Sequence, residues 1–177
     1  VSEHYRAKYD QAGCKPEDVR TPADLARVPF FEKDEERASQ LDAPPLGAHL
    51  CVDPTEVVRV HASSGTTGAP TFFAFTARDL RTIDTIMGRA FYTLGIRPRH
   101  VFGLLGNLSM FVGGVPALTA ASSIGATAVP IGATAGTERT LELIQALGVD
   151  AIGLTPSFAV YLGERMPELI GKPAREL

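Results

Sequence analysis

Only two cysteines, Cys14 and Cys51, occur among the 177 residues. That excludes a disulfide framework, and their spacing matches no metal-ligand pattern. Both are expected as reduced, partly buried thiols of a cytoplasmic protein. Lysine is scarce too: Lys8, Lys15, Lys33 and Lys172 are the whole supply. No basic tract appears and the net charge is −3, which argues against a nucleic-acid binder working through bulk electrostatics. The opening VSEHYRAKYD lacks the apolar core of a signal peptide. It also lacks an initiator methionine, so a processed, trimmed or excised chain is expected. Residues 101–137 carry no charge at all. They are not expected to cross a membrane, because seven glycines, two prolines and Asn107 interrupt them and lipid would leave such a backbone unsatisfied.

What is present fits a soluble globular protein: 45% hydrophobic and 21% charged residues, enough for a real core, in one domain or one domain with a small appendage. Charge divides the chain. Residues 1–42 hold 17 charged side chains, 7 basic and 10 acidic, and are expected as a solvated helical layer. SEHYRAKYDQAG predicts a helix stopped by Gly13. Thr21-Pro22 predicts an N-cap opening ADLARV, and EKDEERASQ a further polar helical stretch. Pro44-Pro45 and Gly47 break the pattern. The expected division is therefore a helical segment over 1–45 and an α/β portion over 46–177.

Within the second part, VFGLLG (101–106), ATAVPI (126–131) and DAIGLT (150–155) are short apolar runs without alternation, the pattern of strands covered on both faces. Helical candidates lie between and around them. ARDLRTIDTIMGRAFYTLG (77–95) places Leu80, Ile83, Ile86/Met87, Ala90/Phe91 and Leu94 on one stripe. FVGGVPALTAASSIG predicts another helix, and TERTLELIQALG a third with Thr137 as N-cap and Gly148 as stop. The alternation predicts an α/β fold with a partly parallel sheet, right-handed crossovers and flanking helices. There is no internal repeat.

HASSGTTGAPT, residues 61–71, sits between the β-rich segments EVVRVHA and TFFAFT, so the loop is expected to join two antiparallel strands. It is not the phosphate loop of nucleotide hydrolases: counted from Gly65, the second glycine of that motif falls on Pro70, and its lysine is missing. Four hydroxyls (Ser63, Ser64, Thr66, Thr67) and the backbone amides can converge on an anion, with Gly65 and Gly68 allowing close approach. By composition alone a solvated turn is the competing reading.

HASSGTTGAPT resembles the signature loop of the adenylate-forming superfamily. YRAKYDQAGCKPEDVRTPADLARVPFFEKDEER is similar to the N-terminal helical segment of phenylacetate–coenzyme A ligases. FVGG (111–114), AGTER (135–139) and TPSFAVYL (155–162) resemble stretches in the same order there, and the likeness covers nearly the whole chain. The resemblance implies the ATP-binding part of an AMP-forming aryl- or acyl-coenzyme A ligase. In it Ser63, Ser64, Gly65, Thr66, Thr67 and Gly68 hold the β- and γ-phosphates in a loop that closes over ATP and opens to release pyrophosphate. Asn107, Leu108, Phe111, Gly113, Gly114, Ser157 and Phe158 are candidates for the acid and adenylate pocket. Implied small molecules are ATP, Mg²⁺ with ligands outside this chain, coenzyme A as co-substrate, and a small carboxylic acid, aromatic by the family likeness. Partners are the rest of the same polypeptide, with a homodimer allowed; nucleic acid, membrane and a metal site within the chain are not expected.

Two departures stand out. Ala69 occupies a usual lysine position, and Asn107-Leu108 stands where phenylacetate ligases carry a tyrosine-containing glycine turn. The family's later groups are a Tyr-Gly-x-Thr-Glu-like motif, a ribose-binding aspartate and a lysine on a mobile C-terminal domain. Nothing here matches them, so no catalytic residue is assigned and the 177 residues alone are expected to be inactive. Two alternatives stay open: a non-catalytic homologue or assembly module, and an adenylyl transferase that does not use coenzyme A. His61 matches the family's histidine and equally reads as a structural hydrogen bond. His4, His49 and His100 have no partners at ligand spacing. Phe158 and Tyr161 read as pocket lining or as core packing, and Glu138 and Arg139 as first-turn residues. The sequon Asn107-Leu108-Ser109 carries no meaning in a buried segment.

Overall fold

The computed structural model describes residues 2–63 and 69–171, without the side chain of Ile170. The chain falls into two compact units, residues 1–77 and 78–177. The division lies beyond the Pro44-Pro45 break, so the helical segment and the strands flanking the loop share one unit.

In the first unit, helix α1 (Glu3–Gln11) starts where the Ser2 hydroxyl accepts the Tyr5 amide, and the chain leaves it through Gly13 at φ 58°. PADLAR forms a six-residue 3₁₀ helix, Pro22–Arg27, rather than an α-helix. It is too short to propagate, and the Asp24 carboxylate takes both the Thr21 amide and hydroxyl at 2.8 Å, which favours a tight turn. The Thr21 hydroxyl and the nearby amides hold the Asp24 carboxyl below its usual range. Helix α2 (Lys33–Asp42) is capped by Glu32 and tied to α1 by the Lys8–Glu35 ion pair. Cys14 is buried, but Cys51 is exposed rather than partly buried, because it sits in the irregular stretch before the first strand. Strands β1 (Val57–Ala62) and β2 (Phe72–Thr76) pair antiparallel, with His61 opposite Phe73 and Ala62 opposite Phe72. This is the hairpin setting expected for the loop.

Helix α3 (Ala77–Thr93) begins at the division and leads into the second unit, followed by strand β3 (Val101–Leu104), helix α4 (Val115–Ser123), strand β4 (Thr127–Val129), helix α5 (Thr137–Leu147), strand β5 (Ala151–Gly153) and helix α6 (Pro156–Ile170). The sheet order is β4-β3-β5, and β3 runs parallel to both neighbours. All three runs read as strands from the sequence are therefore strands, trimmed at their ends. Only β3 is covered as fully as expected: Thr127 on β4 and Ile152 on β5 are exposed, since each lies at an edge of this three-stranded sheet.

Side-chain alternation along β3 and the residue that follows it builds two cores. Phe102 and Leu104 pack with Ile96, Ala117, Ala121 and Ala126, against which Met87 and Phe91 of α3 lie. Leu105 instead joins Leu141, Ile144, Leu162 and Met166 of α5 and α6. The α3 stripe is narrower than expected, with Ile86 and Leu94 exposed. The buried point of contact is Gly88, where a Cβ would come 2.8 Å from Ile124 Cγ2; glycine allows the close approach of α3 to the end of α4. The helix predicted from Phe111 starts only at Val115, with Gly114 as its N-cap. Thr137 is the first residue of α5 rather than its cap; Gly136, at φ 78°, takes the cap position. Gly148 ends α5 in the left-handed conformation as expected. Among the described residues, no helix is long and apolar enough to cross a membrane.

Candidate functional site

The loop read as phosphate-binding springs from the ends of β1 and β2. Of its six residues, Ser63 is described; Ser64, Gly65, Thr66, Thr67 and Gly68 lie outside the described residues. At the loop's base the Ser63 amide donates to the Thr71 carbonyl at 2.9 Å. The Thr71 amide and hydroxyl both donate back to Ser63 Oγ, at 3.0 and 3.1 Å. One residue further on, at Phe72, Gln40 of α2 takes over. Its Nε2 donates to the Phe72 carbonyl at 2.8 Å and its Oε1 accepts the Phe72 amide at 3.1 Å. The side-chain amide thus stands in for a third strand. His61 is buried on β1, edge-on to Phe75 with ring centroids 5.5 Å apart, and Ala69 is exposed.

A separate cavity of about 590 Å³ lies in the second unit. Met87, Phe91, Phe102, Leu104 and Ala117 line it, together with Ile152 to Thr155. Among the pocket candidates, Asn107, Phe111 and Gly113 line it; Leu108, Gly114, Ser157 and Phe158 do not. Leu108 packs on the Phe102 core and Phe158 on the Leu141 core. Ser157 is exposed, its hydroxyl 3.4 Å from that of Thr155, the α6 N-cap. Tyr161 stacks beside Phe158 on the surface, and the Thr137 hydroxyl and Arg165 guanidinium hold its phenol below the usual range. Among the described residues, no three His, Cys, Asp or Glu side chains form a group able to hold a metal ion.

Gly114 holds the cavity-lining turn in shape. It is buried, and a Cβ there would stand 2.5 Å from the Asn107 carbonyl oxygen. Backbone cannot swing aside like a side chain, so Gly114→Ala is expected to destabilise the fold by about 1–3 kcal/mol. Gly106→Ala, whose Cβ would meet only Leu104 Cδ1 at 3.7 Å, is the control. Equal denaturation midpoints for the two variants would show that the close approach at Gly114 does not limit stability.

No family model matches the chain. It is 36% identical over 166 residues to the phenylacetate–coenzyme A ligase of Aromatoleum evansii, an overlap of 94% of this chain and 36% of that protein. Against the phenylacetate–coenzyme A ligase of Escherichia coli (strain K12) it is 34% identical over 170 residues, 96% of this chain and 38% of the other. The chain is thus similar in sequence to phenylacetate–coenzyme A ligases. The fold agrees: a crystal structure of 2-hydroxyisobutyryl-CoA ligase, in an open conformation with 2-HIB-AMP and CoA, is similar with a TM-score of 0.86 at 33% identity. That likeness covers 94% of this chain and 39% of the solved one. The chain spans a little over a third of the length of these ligases.

Proposed function

We propose that the complete protein is an AMP-forming ligase that joins a carboxylic acid to coenzyme A. A carboxylate oxygen attacks the α-phosphorus of ATP, the bond to pyrophosphate breaks, and an acyl-adenylate forms. The thiolate of coenzyme A then attacks the acyl carbon and AMP departs. The observation that carries the proposal is the relationship to phenylacetate–coenzyme A ligases over 94–96% of the chain. It takes in both the strand pair that bears the hydroxyl-rich loop and the apolar cavity.

In this scheme the loop from Ser63 to Gly68 binds the β- and γ-phosphates, with hydroxyls and amides aimed at charge that grows as pyrophosphate leaves. Mg²⁺ would neutralise part of that charge; no residue of this chain is assigned to it. The cavity takes the acid. Its volume lies within the range of small-molecule sites, and Phe91, Phe102 and Phe111 on its walls favour an aromatic acid. Residues 46–177 supply these elements, and residues 1–45 buttress the strand pair through Gln40. Reactants of this kind fit a cytoplasmic location. One observation favours a second reading, a non-catalytic homologue: Ala69 leaves the loop without the lysine usual there.

ATP–pyrophosphate exchange on the complete protein, over a panel of aromatic and aliphatic acids, tests the proposal. Acid-dependent exchange is expected, about tenfold faster in kcat/KM for the preferred aromatic acids, as differential burial of a ring in an apolar pocket allows. AMP release should then require coenzyme A. No acid-dependent exchange with any acid leaves the non-catalytic homologue; exchange without thioester formation leaves the adenylyl transferase.

A further inference from the structure

We propose that Thr71 is a positioning residue for the Ser63 hydroxyl, with Gln40 anchoring the strand that carries Thr71. The inference rests on the functional reading above, in which Ser63 meets the phosphates of ATP. A serine hydroxyl offers one proton and two lone pairs. The amide and hydroxyl of Thr71 donate to Ser63 Oγ at 3.0 and 3.1 Å, so both lone pairs are occupied. The proton is the one function left, and Ser63 can act outward only as a donor. That suits an anion. Accepting two hydrogen bonds also polarises the O–H and strengthens it as a donor, and it removes the freedom of the hydroxyl to swing away.

The supporting geometry is buried and braced. Thr71 is 0% exposed, so its hydroxyl is out of reach of solvent and is spent on a side chain. The next residue, Phe72, is held on both its amide and its carbonyl by Gln40, at 3.1 and 2.8 Å. The first ladder position of β2 therefore cannot fray without breaking two further hydrogen bonds. Strain at that point would displace Thr71 and, through it, Ser63.

The test is ATP–pyrophosphate exchange by the complete protein, with ATP titrated at saturating acid and acid titrated at saturating ATP. Thr71→Val keeps the shape and the amide but removes the hydroxyl. It is expected to lower kcat/KM for ATP about tenfold, the scale of one hydrogen bond to a charge-binding group. The KM for the acid should stay unchanged, and Thr71→Ser should return the rate to within about threefold of the parent protein. In a double-mutant cycle, Thr71→Val should add nothing once Ser63→Ala is present, because the effect passes through that hydroxyl. Independent, multiplying effects overturn the proposal, as does Thr71→Val exchanging like the parent. If Thr71→Val does not fold, Gln40→Glu serves: it sets a carboxylate against the Phe72 carbonyl and should lower kcat/KM for ATP alone, while unchanged kinetics overturn the proposal. A parent protein that shows no exchange defeats the functional reading and this inference together; exchange that is blind to these variants defeats this inference only.

Discussion

Replacing Thr66 and Thr67 together by valine in the complete protein is expected to lower acid-dependent ATP–pyrophosphate exchange at least about 10²- to 10³-fold, the loss typical of removing a preorganised donor from a developing negative charge. Valine matches threonine in shape and leaves every backbone amide in place, so the change isolates the hydroxyls. In the proposed reaction the leaving pyrophosphate gains charge as its bond to the α-phosphorus breaks. Donors set by loop closure before that bond breaks stabilise the charge in the transition state, which is why they are expected to act mainly on kcat. Thr71→Val, acting at one remove through Ser63, should cost only about a tenth of the activity loss seen here or less. The measurement is kcat for exchange with the melting temperature followed in parallel. A folded double variant exchanging within about threefold of the parent would remove these hydroxyls from the phosphate site.

Leu141→Ala is expected to be the most damaging single core truncation, costing about 2–5 kcal/mol. Leu141 is 0% exposed and sits on α5 among Leu105, Ile144, Leu162 and Met166, so the cavity it leaves is walled by side chains of α5, of α6 and of the residue after β3, which cannot all relax inward. Against a typical domain stability of about 5–15 kcal/mol, that loss should lower the melting temperature by on the order of 10 °C. Leu147 on the same helix is 46% exposed, and Leu147→Ala should stay within about 1 kcal/mol of the parent. Similar midpoints for the two variants would mean that the α5–α6 core does not carry the stability of this unit.

Much of the fold was legible where local chemistry has one good solution. The β-rich flanks of HASSGTTGAPT predicted the antiparallel pair that Val57–Ala62 and Phe72–Thr76 form. Apolar runs without alternation predicted the parallel strands, because a strand of a helix-covered sheet has no solvent face to mark with polar residues. Gly148 announced a helix end, since a left-handed backbone favours glycine. Other features depended on competition that no short window reveals. Thr137 has the side chain of a cap, yet it stands one residue inside α5, with Gly136 at the cap position. Phe111–Gly114 carries no helix breaker other than glycine, and the helix waits for Val115 because Gly114 is pressed against the Asn107 carbonyl.

The candidate site divides in the same way. The hydroxyl-rich loop, its place between two strands and its resemblance to the signature loop of adenylate-forming enzymes were all contained in residues 57–76, because they depend on residue types in one continuous stretch. Which hydroxyl braces which, and which side chains enclose a cavity, were decided by tertiary structure. Thr71 reaches Ser63 only through the antiparallel register, and Gln40 reaches Phe72 across 32 positions of sequence. Phe111 and Thr155 border one cavity while Phe158, three residues beyond Thr155, is packed into a different core. Helical rotation and the sheet's two faces separate neighbours in sequence and join residues far apart in it, so composition can name the chemistry of a site while only the fold selects its members.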